Sequence, residues 1–207
     1  PYTITIQVAD GTYTTPVTLK SYLAAGGGIT LLGNTTTPAN CVIAVTNNTA
    51  ITNANALGSW LVQGFKLQTT TSGYGLVATG NAYLNASAID FGACANGHLL
   101  IAGGAYCGFV GAYTISGNAP VHVMVQNAEV FTAGQTLTFS GAITFAVAFS
   151  VAQIGGLHQA YGMTFVGTFT GPRYSASLNG VIFVNGAAST YFPGTVAGST
   201  ATGGQYG

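Results

Sequence analysis

Charge is what this sequence has least of. Of 207 residues, three are Lys or Arg and three are Asp or Glu, 3% in all, where a soluble domain ordinarily carries about 25%. The formal net charge is zero, so there is no basic footprint for a nucleic acid or an anionic lipid surface. Cysteine is sparse too: Cys41, Cys94 and Cys107 show no CxxC spacing. An odd count without that spacing offers neither a disulfide framework nor a zinc pattern. The three read as buried free thiols suited to assembly in a reducing cytosol. GxSxG is missing, and the glycine run at 26–28 lacks the Lys-Ser/Thr of a phosphate loop, which leaves it a flexible corner. Neither a nucleophilic triad nor a cofactor is expected.

Long hydrophobic runs are missing as well. The longest, AITFAVAFSVA (Ala142–Ala152), falls well short of the ~18 residues of a spanning helix, so no membrane insertion is expected. The opening Pro1-Tyr2-Thr3 has no basic start and no apolar core of a secretory signal. With no initial Met, it reads as an excerpt or a processed chain. Disorder is excluded by 48% hydrophobic residues, 11 Tyr and 11 Phe. A surface this poor in charge is expected to be covered by copies of the chain or by other proteins of an assembly.

What is present favours strands and corners. Helical periodicity is almost absent, while short runs such as TITIQV, CVIAV, WLVQGFKL and VHVMVQ alternate with Gly/Asn/Thr clusters such as GNTTTPAN (Gly33–Asn40). In VADGTYTTPVTL (Val8–Leu19), a strand stops at Asp10-Gly11, resumes, and bends again at Thr15-Pro16. These read as successive corners of one coil rather than as a hairpin; a β-sandwich, the runner-up, would want regular hairpin spacing. A small-x-x-large tetrad recurs as GFKL (Gly64–Leu67), AIDF (Ala88–Phe91), AEVF (Ala128–Phe131), AITF (Ala142–Phe145), GMTF (Gly162–Phe165) and GVIF (Gly180–Phe183), with GITL (Gly28–Leu31) and AYTI (Ala112–Ile115) weaker members. The six final residues stand 24, 40, 14, 20 and 18 apart. Counting 40 as two coils gives a period near 20 residues. The expected fold is therefore an all-β parallel β-helix, a solenoid of roughly ten coils and on the order of 45 Å long. Residues 1–190 form the helix domain, and 191–207, rich in Gly and Thr, form an extended C-terminal tail or cap.

The opening ITIQVADGTYTTPVTLKSY…GGGITLLGNTTTPANCVI and the closing RYSASLNGVIFVNG…YFPGTVAGSTATGGQYG resemble the ends of pectin-lyase-like right-handed β-helices in tail fibres and tailspikes of phages and prophages. The two ends cover about a third of the chain, and the closing GSTATGGQY is the more distinctive. The resemblance implies right-handedness and a homotrimer. It also implies a place in the virion tail, assembled in the host cytoplasm among other tail proteins, and contact with a bacterial surface polysaccharide. It does not imply an enzyme, because such proteins include both adhesins and depolymerases.

The residues support adhesion before cleavage. A glycan hydrolase needs two carboxylates, and the chain owns only Asp10, Asp90 and Glu129. Asp90 and Glu129 are the candidate catalytic pair, about two coils or ~10 Å apart. They occupy adjacent rather than equivalent tetrad slots, and adjacent strand positions face opposite sides. Lys66 holds the slot equivalent to Asp90 one coil earlier, so an axial ion pair is expected. His98 and His122 fall one coil apart, but no carboxylate or thiol has matching spacing, and no metal site is expected. Trp60, Tyr74, Tyr83, Tyr106 and Tyr113 are the candidates for stacking on sugar faces. The leading expectation is a structural and adhesive tail module binding a host glycan. A polysaccharide depolymerase on the same fold is the alternative. A third is a Thr-rich surface that binds ice, resting on Thr3–Thr5, Thr12–Thr14 and Thr136–Thr138.

Overall fold

The structure, a computed structural model, describes residues 3–23 and 27–207. Pro1 and Tyr2 of the opening and Gly26 of the glycine corner lie outside them. Every strand pairing is parallel, and the strands form three stacked sheets. The first turn shows the plan. Ile4–Gln7 lies on a first face, Gly11–Tyr13 on a second and Val17–Thr18 on a third. The Asp10-Gly11 and Thr15-Pro16 breaks are the two corners between them, as the sequence pattern predicts. The chain is a parallel β-solenoid.

The first face stacks nine strands, which makes about eight turns, or roughly 38 Å at about 4.8 Å per turn. That is fewer than the ten expected, because a turn is longer than the tetrads suggest. Register partners on this face stand 23 residues apart at the shortest (Tyr83 and Tyr106) and 31 at the longest (Ile29 and Trp60). The tetrads mislead because they sit on different faces. Leu67, Phe91 and Ile115 are true register partners on the second face. Phe131 and Phe183 belong to the first face, Phe145 to the third and Phe165 to the second. From Ile43 onward the inward column on the second face runs Leu67, Phe91, Ile115, Phe139, with 24 residues at each step.

Corners between the third and first faces share one device. Asn55, Gly80, Gly103, Asn127, Ile154, Leu178 and Thr202, one per turn, all have φ between 45 and 65°. A left-handed residue turns the chain without lengthening the corner, which suits Asn and Gly. Ile154 adopts it against its own preference, with its side chain 53% exposed.

The two ends of the stack differ. At the C-terminal end, residues 191–207 do not leave the rod as an extended tail. Gly194–Val196, Ser199–Thr200 and Gln205–Tyr206 each pair with the turn before. Phe192 is fully buried, and the Tyr191 hydroxyl donates to the Ala160 carbonyl (2.8 Å) while accepting from the Met163 N–H (2.6 Å). At the N-terminal end, inward-facing Ile4 and Ile6 are exposed, and a cavity of about 510 Å³ opens between Val8, Tyr13, Val17 and Phe65.

From Phe91 toward the C-terminal end the core is an aromatic cluster, after early turns that are mainly aliphatic, with Leu31, Ile43, Val62 and Leu67. Phe149 is its hub, with ring centroids 4.9 Å from Phe192, 5.0 Å from His122, 5.2 Å from Phe169 and 5.7 Å from Phe145. Phe149→Ala is expected to destabilise the solenoid by about 3–5 kcal/mol, read as a lower urea midpoint. Ile154→Asn is expected to stabilise it by about 1 kcal/mol, because Asn relieves the left-handed strain and little packing is lost; a melting temperature at or below wild type would contradict this account.

Candidate functional site

The three carboxylates do not converge. Asp10 accepts both Asn34 amide contacts (3.0 and 3.1 Å) near the first corner. Asp90 lies on the second face, 7% exposed, with Lys66 Nζ 3.4 Å from its Oδ2, one turn away in register. This is the axial ion pair the spacing predicts. Glu129 points outward from the first face, where its Oε1 accepts from Gln159 Nε2 at 2.6 Å. Asp90 and Glu129 thus occupy different faces and have different partners, so the candidate pair is not assembled. A groove of about 700 Å³ along the corner of these two faces is lined by Thr35, Ser87, Val110, Thr114 and Thr138, and no carboxylate, amine or imidazole lines it.

Cysteines and histidines are interior. Burial pushes the Cys94 and Cys107 thiols up to about 12, so they stay protonated and unreactive. His98 and His122 meet in register inside the third face, with Nδ1 atoms 3.2 Å apart. One proton arrangement satisfies the cluster. The Gly92 carbonyl only accepts, so His98 Nε2 donates to it at 3.1 Å and His98 Nδ1 is left as an acceptor. His122 Nδ1 then donates, and His122 Nε2 accepts from the Tyr113 hydroxyl at 3.3 Å. A further proton on His98 would set its Nδ1–H against the Nδ1–H of His122. His158 is satisfied separately, by Ser150 Oγ (2.7 Å) and Thr132 Oγ1 (2.9 Å). Among the described residues, no three His, Cys, Asp or Glu gather where they could hold a metal ion.

The aromatic candidates separate into three groups. Trp60 is 6% exposed, its indole N–H donating to the Lys20 carbonyl at 3.0 Å, and Tyr113 is 3% exposed inside the core. Neither offers a ring face to a ligand, because both point inward from their strands. Tyr74 is half-buried against Met124 on the third face. Tyr83 and Tyr106 are different. They are register partners on the outside of the first face, stacked with centroids 4.7 Å apart and planes at 14°. The Tyr106 ring leans across Gly108, where a Cβ would fall 2.7 Å from its hydroxyl.

Sequence reasoning missed the residues that extend this pair. Tyr83, Tyr106, Glu129, Leu157 and Val181 form one outward column, with Asn85, Gly108, Phe131, Gln159 and Phe183 beside it. Tyr161 packs edge-on against both Phe131 and Phe183. The signal was the 23-residue step from Tyr83 to Tyr106, which becomes visible once the true turn length is known. The Thr-x-Thr triplets do not make such a column. Thr5 is on the first face, and Thr12 and Thr136 are on the second face with four strands between theirs.

By its fold the molecule is a three-faced parallel β-solenoid with an aromatic and amide platform on the outside of one face. No family model, curated protein or solved structure matches the chain.

The buried imidazoles carry a pH dependence. Burial pushes His98 and His158 down to about 3, and burial with the neighbouring imidazoles pushes His122 well below its ordinary 6.5. The native state therefore holds them neutral while the unfolded chain protonates them from pH 6.5 downward. Their contribution is complete above that pH and shrinks as pH falls toward 3. Three such groups are expected to lower stability by roughly 5 kcal/mol between pH 7 and pH 5. Urea unfolding at the two pH values measures it, and equal midpoints would contradict the neutral cluster.

Proposed function

We propose that this chain is a structural and adhesive module of a phage-like tail fibre or spike, which carries a glycan-binding face on a rigid rod. The observation that carries the reading is the first-face platform. It places stacked tyrosines, a carboxylate and two amides on an outer surface, the combination of apolar ring and hydrogen-bonding edge that sugars require. The scattering of Asp10, Asp90 and Glu129 supports binding without cleavage, since no single chain supplies a hydrolytic pair. Near-absence of charge supports side-by-side assembly. Three neutral rods can bury one another without desolvating ions, which suits a homotrimer. The ends of the sequence add the resemblance to right-handed β-helical tail proteins. The module is then assembled in the host cytoplasm and works on the virion tail against a bacterial surface polysaccharide.

Antibody to this chain, gold-labelled on particles induced from the source organism, tests the assignment by electron microscopy. Gold on fibres or at the tail tip is the expected result. Intact tailed particles without label would overturn it.

A further inference from the structure

We infer that the first-face platform takes an uncharged linear polysaccharide lying along the rod axis, with one sugar unit per turn. The inference deepens the adhesive reading and rests on it. Its first support is shape. The platform extends over five rungs from Tyr83 to Val181, roughly 19 Å at about 4.8 Å per turn, but it is only two outward side chains wide, about 7 Å. A linear ligand fits such a strip lengthwise. The rise per turn is also close to the length of one pyranose ring, so successive sugars meet successive rungs in step.

The second support is the order of groups along the strip. Ser59, the rung before Tyr83, is too short to cover the far face of the Tyr83 ring, which is 45% exposed. A sugar packs there, and the next meets the hydroxyls of the tyrosine pair. Further along, Glu129 and Gln159 are already joined at 2.6 Å, which fixes both side chains and leaves Glu129 Oε2 to accept from a sugar hydroxyl. Phe131 and Phe183, held by Tyr161, close the strip with an apolar surface for a sugar C–H face.

The third support is charge. Glu129 is the one ionised side chain on this strip. Lys66 is on the second face, paired with Asp90. Arg173 lies between two strands stacked on the third face, its Nε donating to the Phe192 carbonyl at 3.0 Å, and Lys20 precedes the second turn. A uronate or sialate polymer would bring carboxylates to a surface with no cation to receive them and one carboxylate to repel them. A neutral polymer meets no such penalty.

An array of bacterial surface polysaccharides with neutral and acidic repeat units, probed with the intact chain, tests this. Expected hits are confined to neutral repeats. For fragments of the best hit, affinity should climb to about five units and then level. Tyr83→Ala and Tyr106→Ala should each weaken binding on the order of tenfold, while Gln68→Ala on the second face leaves it unchanged. Circular dichroism and the melting temperature establish that the variants are folded. Hits confined to acidic polymers, binding that weakens with salt, or binding indifferent to both tyrosine variants would overturn this inference and leave the adhesive reading standing. No hit in either class would overturn both.

Discussion

Everything in this molecule follows from one set of bonds, the main-chain hydrogen bonds that join each turn to the next in parallel register. They hold equivalent residues about 4.8 Å apart along the axis, so each side chain is packed first against its own counterparts above and below. Leu67, Phe91 and Ile115 become a column because they share a register, whatever their neighbours in sequence. The same rule acts outside, where Thr46 and Thr70 hydroxyls meet at 2.9 Å and Ser87 reaches Gln63 at 3.1 Å. It acts at the corners too, where seven residues share one left-handed conformation although two of them are Ile154 and Leu178.

This constraint gives the scarcity of charge a structural meaning. Two like charges on adjacent rungs would repel by about 1 kcal/mol in water and by about 3 kcal/mol at an effective dielectric of 20. A stack that placed ordinary numbers of Lys and Glu on every face would have to order them by sign along each column. The chain has six charged residues, and the one pair in register, Lys66 and Asp90, is of opposite sign. Hydroxyls, amides and tyrosines stack on themselves without that difficulty, since each can donate, accept or overlap with its copy. The low charge that sets this sequence apart is therefore compatible with a stable single rod, and it also leaves the outer faces free to meet other neutral surfaces.

How much of this was legible depended on whether a feature is local or axial. Corners are local, and Asp10-Gly11 and Thr15-Pro16 announced the first turn correctly. The all-β parallel stack followed from many short strands with polar corners. Turn length is axial and was misjudged, because small-x-x-large is what any inward strand end looks like on any of three faces. Ile51–Ala54 stayed hidden inside a polar run, since one of its two inward residues is Asn53, fully buried. The last residues, Tyr191–Gly207, looked like a tail because their strands are two or three residues long. At the site, Lys66–Asp90 was readable from a 24-residue step, whereas the inward direction of Trp60 and Tyr113 was not, because the direction of a lone aromatic depends on strand parity. Gln159, Phe131 and Phe183 join the platform only through register.

The same geometry separates what the outside and inside of the rod can do chemically. On the outside the three carboxylates keep to separate partners, Asp10 to Asn34, Asp90 to Lys66 and Glu129 to Gln159, and do not close on one point. Converging polar groups do occur here, at Tyr113, His122 and His98, but they point into the core among Phe91, Phe145 and Phe149. There each proton already has a partner, and all three side chains are buried. The interior cluster thus acts on stability, and through it on the pH at which the rod survives. The outer face instead presents a row in which Tyr83, Tyr106 and Glu129 are register partners on successive turns.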